Sequence, residues 1–277
     1  MKIHAIQTGS FIVKNRFCNG KGIGPLRLLN IFLDRTWTQT LPYYTWVIEH
    51  PEGIIVIDTG ETARALQPDY YPLVNRTFIK KNAKVYIHPE DEIGPRMEAL
   101  GIKPGEVRWV ILTHMHQDHI GGLRYFPQAK ILVSRQEYKA AQSFGAHLQG
   151  YMPKNWPGWF NPCLIDYSDD SFGVFPKSFT LTKAGDIHLV PTQGHSPGHL
   201  SVILKINGLS FFFAGDVSFN QQFLLSRTVA GVSESVKKNR QTLELINQYV
   251  IQNPTVYLPS HDPDASSRLA SRTKVCI

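Results

Sequence analysis

Residues 111–122 read ILTHMHQDHIGG. Four of them, His114, His116, Asp118 and His119, carry metal-capable side chains within six positions, directly after an apolar run. His114 and His116 stand two apart, so on an extended segment they share a face and can point at one ion. Asp118 and His119 follow where the chain turns into a helix, and can reach a second ion nearby. Imidazole together with carboxylate suits zinc, iron, cobalt or manganese better than calcium or magnesium. The bland alternative is a polar surface loop with coincidental histidines. Three later segments weigh against it: PTQGHSPGHLS offers His195 and His199, FFFAGDV ends on Asp216, and VYLPSHDP contains His261.

Side chains this far apart in sequence meet only if rigid elements hold them. Strand-like runs come in two groups. The first holds KIHAIQTGSFIV, YYTWVIEH, GIIVIDTG, VRWVILTH and KILVS; the second holds FTLT, DIHLVPT, LSVILKI, LSFFFAGD and TVYLPSH. Helical patterns fall at about 90–100, 120–126, 134–144 and 232–252, the last capped by Ser233 or Ser235. Glu52-Gly53 and Asn207-Gly208 predict hairpin turns between neighbouring strands. Four strands end on a polar residue: Asp58, His114, Asp216 and His261. The chemistry is therefore expected on loops at one edge of the sheets. Two strand-rich halves, each with helices, predict two packed sheets with helices outside.

The 277 residues carry 29 Lys+Arg against 22 Asp+Glu, a net charge of +7. No dense basic block accompanies it, only pairs such as Lys80-Lys81 and Lys237-Lys238, so nucleic acid is not expected as a partner. Three cysteines, Cys18, Cys163 and Cys276, lack metal or redox spacing and point to a reducing compartment. No apolar run approaches the ~18 residues that span a bilayer. The N-terminus alternates like a strand rather than a signal peptide. One domain over residues 1–277, cytoplasmic and without a membrane partner, is the expectation.

The HxHxDH core, the GHSPGH segment, an Asp after an apolar strand and a terminal His, in that order, resemble the metallo-β-lactamase superfamily. The resemblance runs from Asp58 in IDTG to His261 in SHDP. It implies an α/β fold, a four-layer αββα sandwich, and a dinuclear site for two divalent transition-metal ions, zinc first. His114, His116 and His195 would hold one ion, Asp118, His119 and His261 the other, and Asp216 would bridge both. His199 would support or pack rather than ligate, and Asp58 would hydrogen-bond beneath the metals and orient the ligands. Cysteine is absent from the bridging position, unlike the true β-lactamases of the superfamily. Two such ions bring the pKa of a bound water from 15.7 to about 7 and so supply hydroxide for metal-dependent hydrolysis. Asp216 and Asp118 stand closest to that chemistry, Asp118 as a candidate proton shuttle.

Within the superfamily, MKIHAIQTGSFIVKN, LPYYTWVIEHPEGIIVIDTGE, GHSPGHLSVIL and LPSHDP look like the N-acyl homoserine lactonases. That resemblance implies opening of a lactone ring by metal-bound hydroxide. One position departs: the Tyr usual three residues after the bridging Asp is Phe219 here, which cannot donate a hydrogen bond to the substrate carbonyl. An acyl chain would need an apolar pocket. Leu33 and Trp37 in RLLNIFLDRTW, and Trp156 and Trp159 in the aromatic loop YMPKNWPGWF, are the candidates. That loop serves equally well as a satellite core or a homodimer contact. Thioester, other carboxylic ester and phosphoester hydrolysis are the alternative activities, and an inactive ligand sensor is the alternative class.

Overall fold

The computed structural model describes residues 1–276. In chain order the strands are β1 (Lys2–Val13), β2 (Leu41–His50), β3 (Gly53–Ile57), β4 (Ala83–Tyr86), β5 (Val107–Ile111) and β6 (Lys130–Ser134). They continue as β7 (Cys163–Ile165), β8 (Phe179–Thr180), β9 (Ile187–Pro191), β10 (Leu200–Ile206), β11 (Leu209–Gly215) and β12 (Thr255–Pro259). The helices are α1 (Asn15–Cys18), α2 (Pro25–Leu33), α3 (Leu73–Asn82), α4 (Ile93–Ala99) and α5 (Gln117–Ile120). Then come α6 (Arg135–Ala141), α7 (Gln221–Leu225), α8 (Val236–Gln252) and α9 (Ala265–Ser271).

The chain divides into two compact units. The first joins Met1–Val13 to Trp37–Leu164; the second joins Lys14–Thr36 to the residues from Ile165 onward. In the first unit the sheet runs β4-β1-β2-β3-β5-β6-β7. The β2–β3 hairpin turns at Glu52-Gly53 as expected, with His50 opposite Gly53 and Gly53 at a left-handed φ of 128°. Beyond it β3 pairs with β5 in parallel. Parallel neighbours end at the same edge, so the residues following β3 and β5 come out side by side. Val47, Val56, Val110, Leu112, Met115, Ile120, Phe126 and Ile131 form the core of this unit.

The second unit repeats that logic with a sheet of order β12-β11-β10-β9-β8. Asn207-Gly208 makes the β10–β11 hairpin, and β11 pairs with β12 in parallel, Phe213 opposite Leu258. The edge carrying Asp216 and His261 is again the carboxyl end of a parallel pair. Helix α8 buries Asn239, Thr242, Leu243, Ile246, Tyr249 and Val250, the three-and-four spacing of one helical face. Those residues cover Ile203, Phe212, Ala214 and Tyr257 of the sheet. Its cap is Ser235, whose hydroxyl accepts from the Lys238 N–H at 3.3 Å.

Every strand run read from the sequence is a strand. Five helices lie outside the helical patterns read from the sequence: α1, α2, α3, α7 and α9. In α2 the reason is physical: apart from the buried Ile31 its apolar residues are exposed, so the segment reads as an irregular apolar stretch.

Candidate metal centre

In the first unit Asp58 stands directly after β3, and its own N–H donates to the Ile111 carbonyl at 2.9 Å, on the neighbouring strand. Its backbone sits at φ +58°, a conformation costly for a residue with a Cβ. Its carboxylate accepts three hydrogen bonds, each at 2.8 Å: from the Thr113 N–H, the Thr113 hydroxyl and His119 Nδ1. A carboxylate can only accept, so Nδ1 of His119 must carry the proton and Nε2 keeps a lone pair for a ligand. Thr113 Oγ1, having given its proton to Asp58, accepts from His114 Nδ1 at 3.1 Å. Nε2 of His114 therefore also keeps its lone pair for a metal. One buried carboxylate orients two imidazoles.

His114 Nε2 lies 3.1 Å from His116 Nδ1, and the His114 ring is 4.0 Å from that of His119. Two ring nitrogens at that spacing require a proton or a cation to hold them together. Asp118 Oδ2 comes within 3.7 Å of His119 Nε2, and its side chain is part exposed while His114 and His119 are buried. The turn that presents them is tied down by the Thr59 N–H, which donates to the His119 carbonyl at 2.7 Å. A Cβ at Gly122 would stand 2.4 Å from the Thr59 carbonyl oxygen, so the Gly-Gly after the motif is what allows this approach.

The second unit adds the remaining residues. Asp216 follows β11 and His261 follows β12. The two Asp216 oxygens address different histidines: Oδ1 lies 3.1 Å from His261 Nε2, and Oδ2 lies 3.5 Å from His195 Nε2. His199 has both nitrogens engaged elsewhere. Its Nδ1 meets Thr192 Oγ1 at 2.9 Å, and its Nε2 accepts from the Asp216 N–H at 3.0 Å. It therefore holds the backbone of Asp216. Beside the glycine that precedes His195, α8 passes so closely that a Cβ at Gly194 would be 2.3 Å from Asn239 backbone. Phe219 is buried with its ring stacked on His261 at 5.4 Å, and Phe17 meets it edge-on at 6.1 Å.

The expected pocket residues disperse. Trp156, read as a substrate wall, stacks instead on Tyr138 at 5.9 Å and packs with Phe160 against the first unit's core. Trp159 is exposed, Leu33 faces outward from α2, and Trp37 lies beneath the Lys84 ammonium. Tyr151 of the aromatic loop is fully buried, with its ring 5.1 Å from His116.

Three supporting residues carried no signal in the sequence. Glu137 is buried, accepting from the Met115 N–H at 3.1 Å and the Tyr151 hydroxyl at 3.0 Å, and so fixes the backbone between two histidines. Glu61 is buried beneath α5, accepting from the Tyr71 hydroxyl at 2.8 Å and the Thr62 N–H at 2.9 Å. Burial first, and then the Asp118 carboxylate, push its pKa up to about 8 against those hydrogen bonds. Cys18 is buried in the second unit; burial and then the Asp216 carboxylate hold its thiol well above the usual range. Lone carboxylates and thiols have no motif to mark them.

Each unit thus presents carboxylate and imidazole side chains just beyond the carboxyl end of a parallel strand pair. Residues 39–272 match the family model of the metallo-β-lactamase superfamily, and the chain belongs to that superfamily. It is 27% identical over 204 residues to the N-acyl homoserine lactonase AiiA of Bacillus thuringiensis subsp. kurstaki, covering 74% of this chain and 70% of that protein. It is 26% identical over 241 residues to the N-acyl homoserine lactonase AttM of Rhizobium radiobacter, covering 81% and 83%. A solved N-acyl homoserine lactone hydrolase with N-hexanoyl-L-homoserine at its catalytic metal centre superposes with a TM-score of 0.77 at 21% identity, over 99% of this chain and 96% of that one. The expected α/β fold of the superfamily is thus the fold of this chain.

Proposed function

We propose that this protein is a dinuclear-metal lactonase that opens the ring of N-acyl homoserine lactones or similar lactones. The observation that carries the substrate class is the relationship to AiiA and AttM, both N-acyl homoserine lactonases, along most of the chain. In this reading His114, His116 and His195 hold one divalent ion, Asp118, His119 and His261 hold a second, and Asp216 serves both. The donor set fits: neutral imidazoles with Nε2 turned outward, carboxylates, and no thiolate among them. Zinc is the ion proposed. When bound, the ions supply hydroxide at neutral pH and Lewis acidity toward the carbonyl.

The chain's own residues do the rest. Asp58 keeps His114 and His119 in the tautomer that can ligate. His199 holds the Asp216 backbone so that its two oxygens stay divergent. When the ring C–O bond of the lactone breaks, the departing alkoxide takes a proton, and Asp118, the part-exposed carboxylate of the set, is the residue proposed to pass it. Products are a carboxylate, a free hydroxyl and one proton released to solvent. The Phe219 ring, stacked on His261, offers packing to the substrate but no hydrogen bond to its carbonyl. Three free cysteines agree with a reducing, cytoplasmic setting. The proposed ligand set is complete within one chain, so a homodimer is not required for it.

The test is metal analysis with parallel hydrolysis assays on an acyl homoserine lactone, a thioester and a phosphodiester, read by pH change. About two ions per chain with preference for the lactone supports the reading. Brisk thioester or phosphodiester turnover without lactone hydrolysis leaves a metallohydrolase of another substrate class. Normal turnover in metal-free protein removes the metal mechanism altogether.

A further inference from the structure

Helix α2 is built inside out. At 3.6 residues per turn, Leu28, Phe32, Pro25, Leu29, Leu33 and Leu26 follow one another around about 160° of its surface with no polar residue among them. All six are exposed, Leu28 by 50%, Phe32 by 48% and Leu33 by 66%, and Ile23 just before the helix by 76%. The face turned into the protein carries the cation instead. Arg27 is buried and donates to the carbonyls of Gly22 at 3.2 Å, Val229 at 3.0 Å and Ala230. The guanidinium thus pins the helix by its polar side and aims its apolar side outward. A surface helix of a water-facing protein has the opposite arrangement.

The charges around this face are mainly positive. Lys21 and Arg35 flank the helix and are exposed. Arg240 of α8, also exposed, lies close enough for its charge to act on Arg27. The single acid of the segment, Asp34, is turned to the backbone N–H groups of Arg16 at 2.7 Å and Thr36 at 3.0 Å. The whole chain carries +7. A nine-residue helix is only about 13 Å long, too small by itself for the ~800 Å² per partner of a stable protein interface. Two copies would also bring these cations together. An apolar face with exposed cations at both ends complements an anionic lipid surface, into which such a helix sinks its side chains while the basic residues meet the headgroups.

We propose that α2 is a membrane-surface helix that docks the folded protein on anionic lipid, lying in the interface and not crossing it. No helix among the described residues is long and apolar enough to span a bilayer. The docking is independent of which bond the enzyme cuts.

The experiment sediments the metal-loaded full chain with vesicles of phosphatidylcholine alone or mixed with phosphatidylglycerol. Binding is expected only to the mixed vesicles and should weaken with salt. The double variant Leu29→Asp/Phe32→Asp should lower the partition coefficient by about tenfold or more. Lys21→Glu and Arg35→Glu should each lower it by about fivefold or more, since each cation near an anionic surface is worth ~1 kcal/mol. Thermal midpoint, metal content and hydrolysis in vesicle-free buffer should stay unchanged, because these side chains are exposed. No binding to either vesicle overturns the proposal, as does binding that ignores the α2 substitutions. A solution dimer that Leu29→Asp/Phe32→Asp dissociates would assign this face to a second copy and overturn it equally.

Discussion

The two units present their functional side chains in opposite ways. In the first, four candidate ligands lie within six residues and one carboxylate, Asp58, aligns two of them through Thr113 and His119. In the second, His195, Asp216 and His261 are scattered over three loops. Asp216 and His261 share an edge because β11 and β12 run parallel. His199 then fixes the Asp216 backbone from a third segment. The first arrangement is local in sequence and stiffened by hydrogen bonds; the second depends on the sheet. A half-site of the second kind is written in topology, and loop closure must precede it.

That contrast can be broken at its strongest point. Asp216→Ala removes the carboxylate proposed to serve both ions, so inductively coupled plasma analysis should find metal well below two per chain, with lactone hydrolysis essentially abolished. Retention of both ions with normal turnover would show that the second unit does not need its central carboxylate. The supporting residues should give the next largest effects, and unequal ones. Asp58→Asn keeps one acceptor oxygen where the carboxylate uses two, so it cannot take all three hydrogen bonds and hold both histidine tautomers as before, and metal affinity or turnover should fall about 10–100-fold. His199→Ala leaves every proposed ligand in place and loosens only the Asp216 backbone. Chelator competition should therefore show a smaller loss than for Asp58→Asn, and a larger one would reverse the ranking of the two units.

Phe219→Tyr sharpens the second unit alone. Its metal content should be unchanged, and steady-state lactone kinetics should improve a few-fold if the added hydroxyl reaches the substrate carbonyl. That is far below the ~2.7–4 kcal/mol of a purpose-built oxyanion donor. A large loss would mean that the phenyl face itself contacts the substrate. The smallest effect on turnover belongs to Glu61, where the readout is stability. Its folded pKa of about 8 lies above the ordinary 4.5, so between those values the folded chain keeps a proton that the unfolded chain has released. Stability should fall as pH rises through that window and then level off. The melting temperature of metal-free Glu61→Gln should accordingly drop less between pH 5 and pH 9 than that of the metal-free parent; an identical drop would show that Glu61 does not titrate as its burial demands.

Legibility followed the same division. The HMHQDH cluster is visible because its residues are close together, and the strands because apolar runs ending at Gly, Asn or Asp are hard to read otherwise. Asp216 and His261 were found as strand-terminal polar residues, although nothing local says that β11 and β12 are parallel neighbours. Glu61 and Glu137 were not found, since a buried carboxylate looks like a surface one until its partners arrive. Trp156 stayed open between two readings, because aromatic density in a loop marks packing against Tyr138 and Phe160 as readily as a substrate wall. Helix α2 escaped for a related reason: a pattern scan assumes that apolar residues face inward.

Arg27 also sets a timetable. Its partner Val229 lies 202 residues further along the chain. At a synthesis rate of about 5–20 residues per second, the ribosome needs roughly 10–40 s to make the carbonyls that anchor this guanidinium. For most of that interval the segment is out of the exit tunnel with its leucines uncovered and, of its cation's partners, only the nearby Gly22 carbonyl has been made. The first unit acquires most of its chain in the meantime, while the segment that interrupts it waits for the end of translation. Sequence changes near residues 229–231 should therefore show themselves first in the yield of soluble protein during expression, before any purified enzyme reveals a fault.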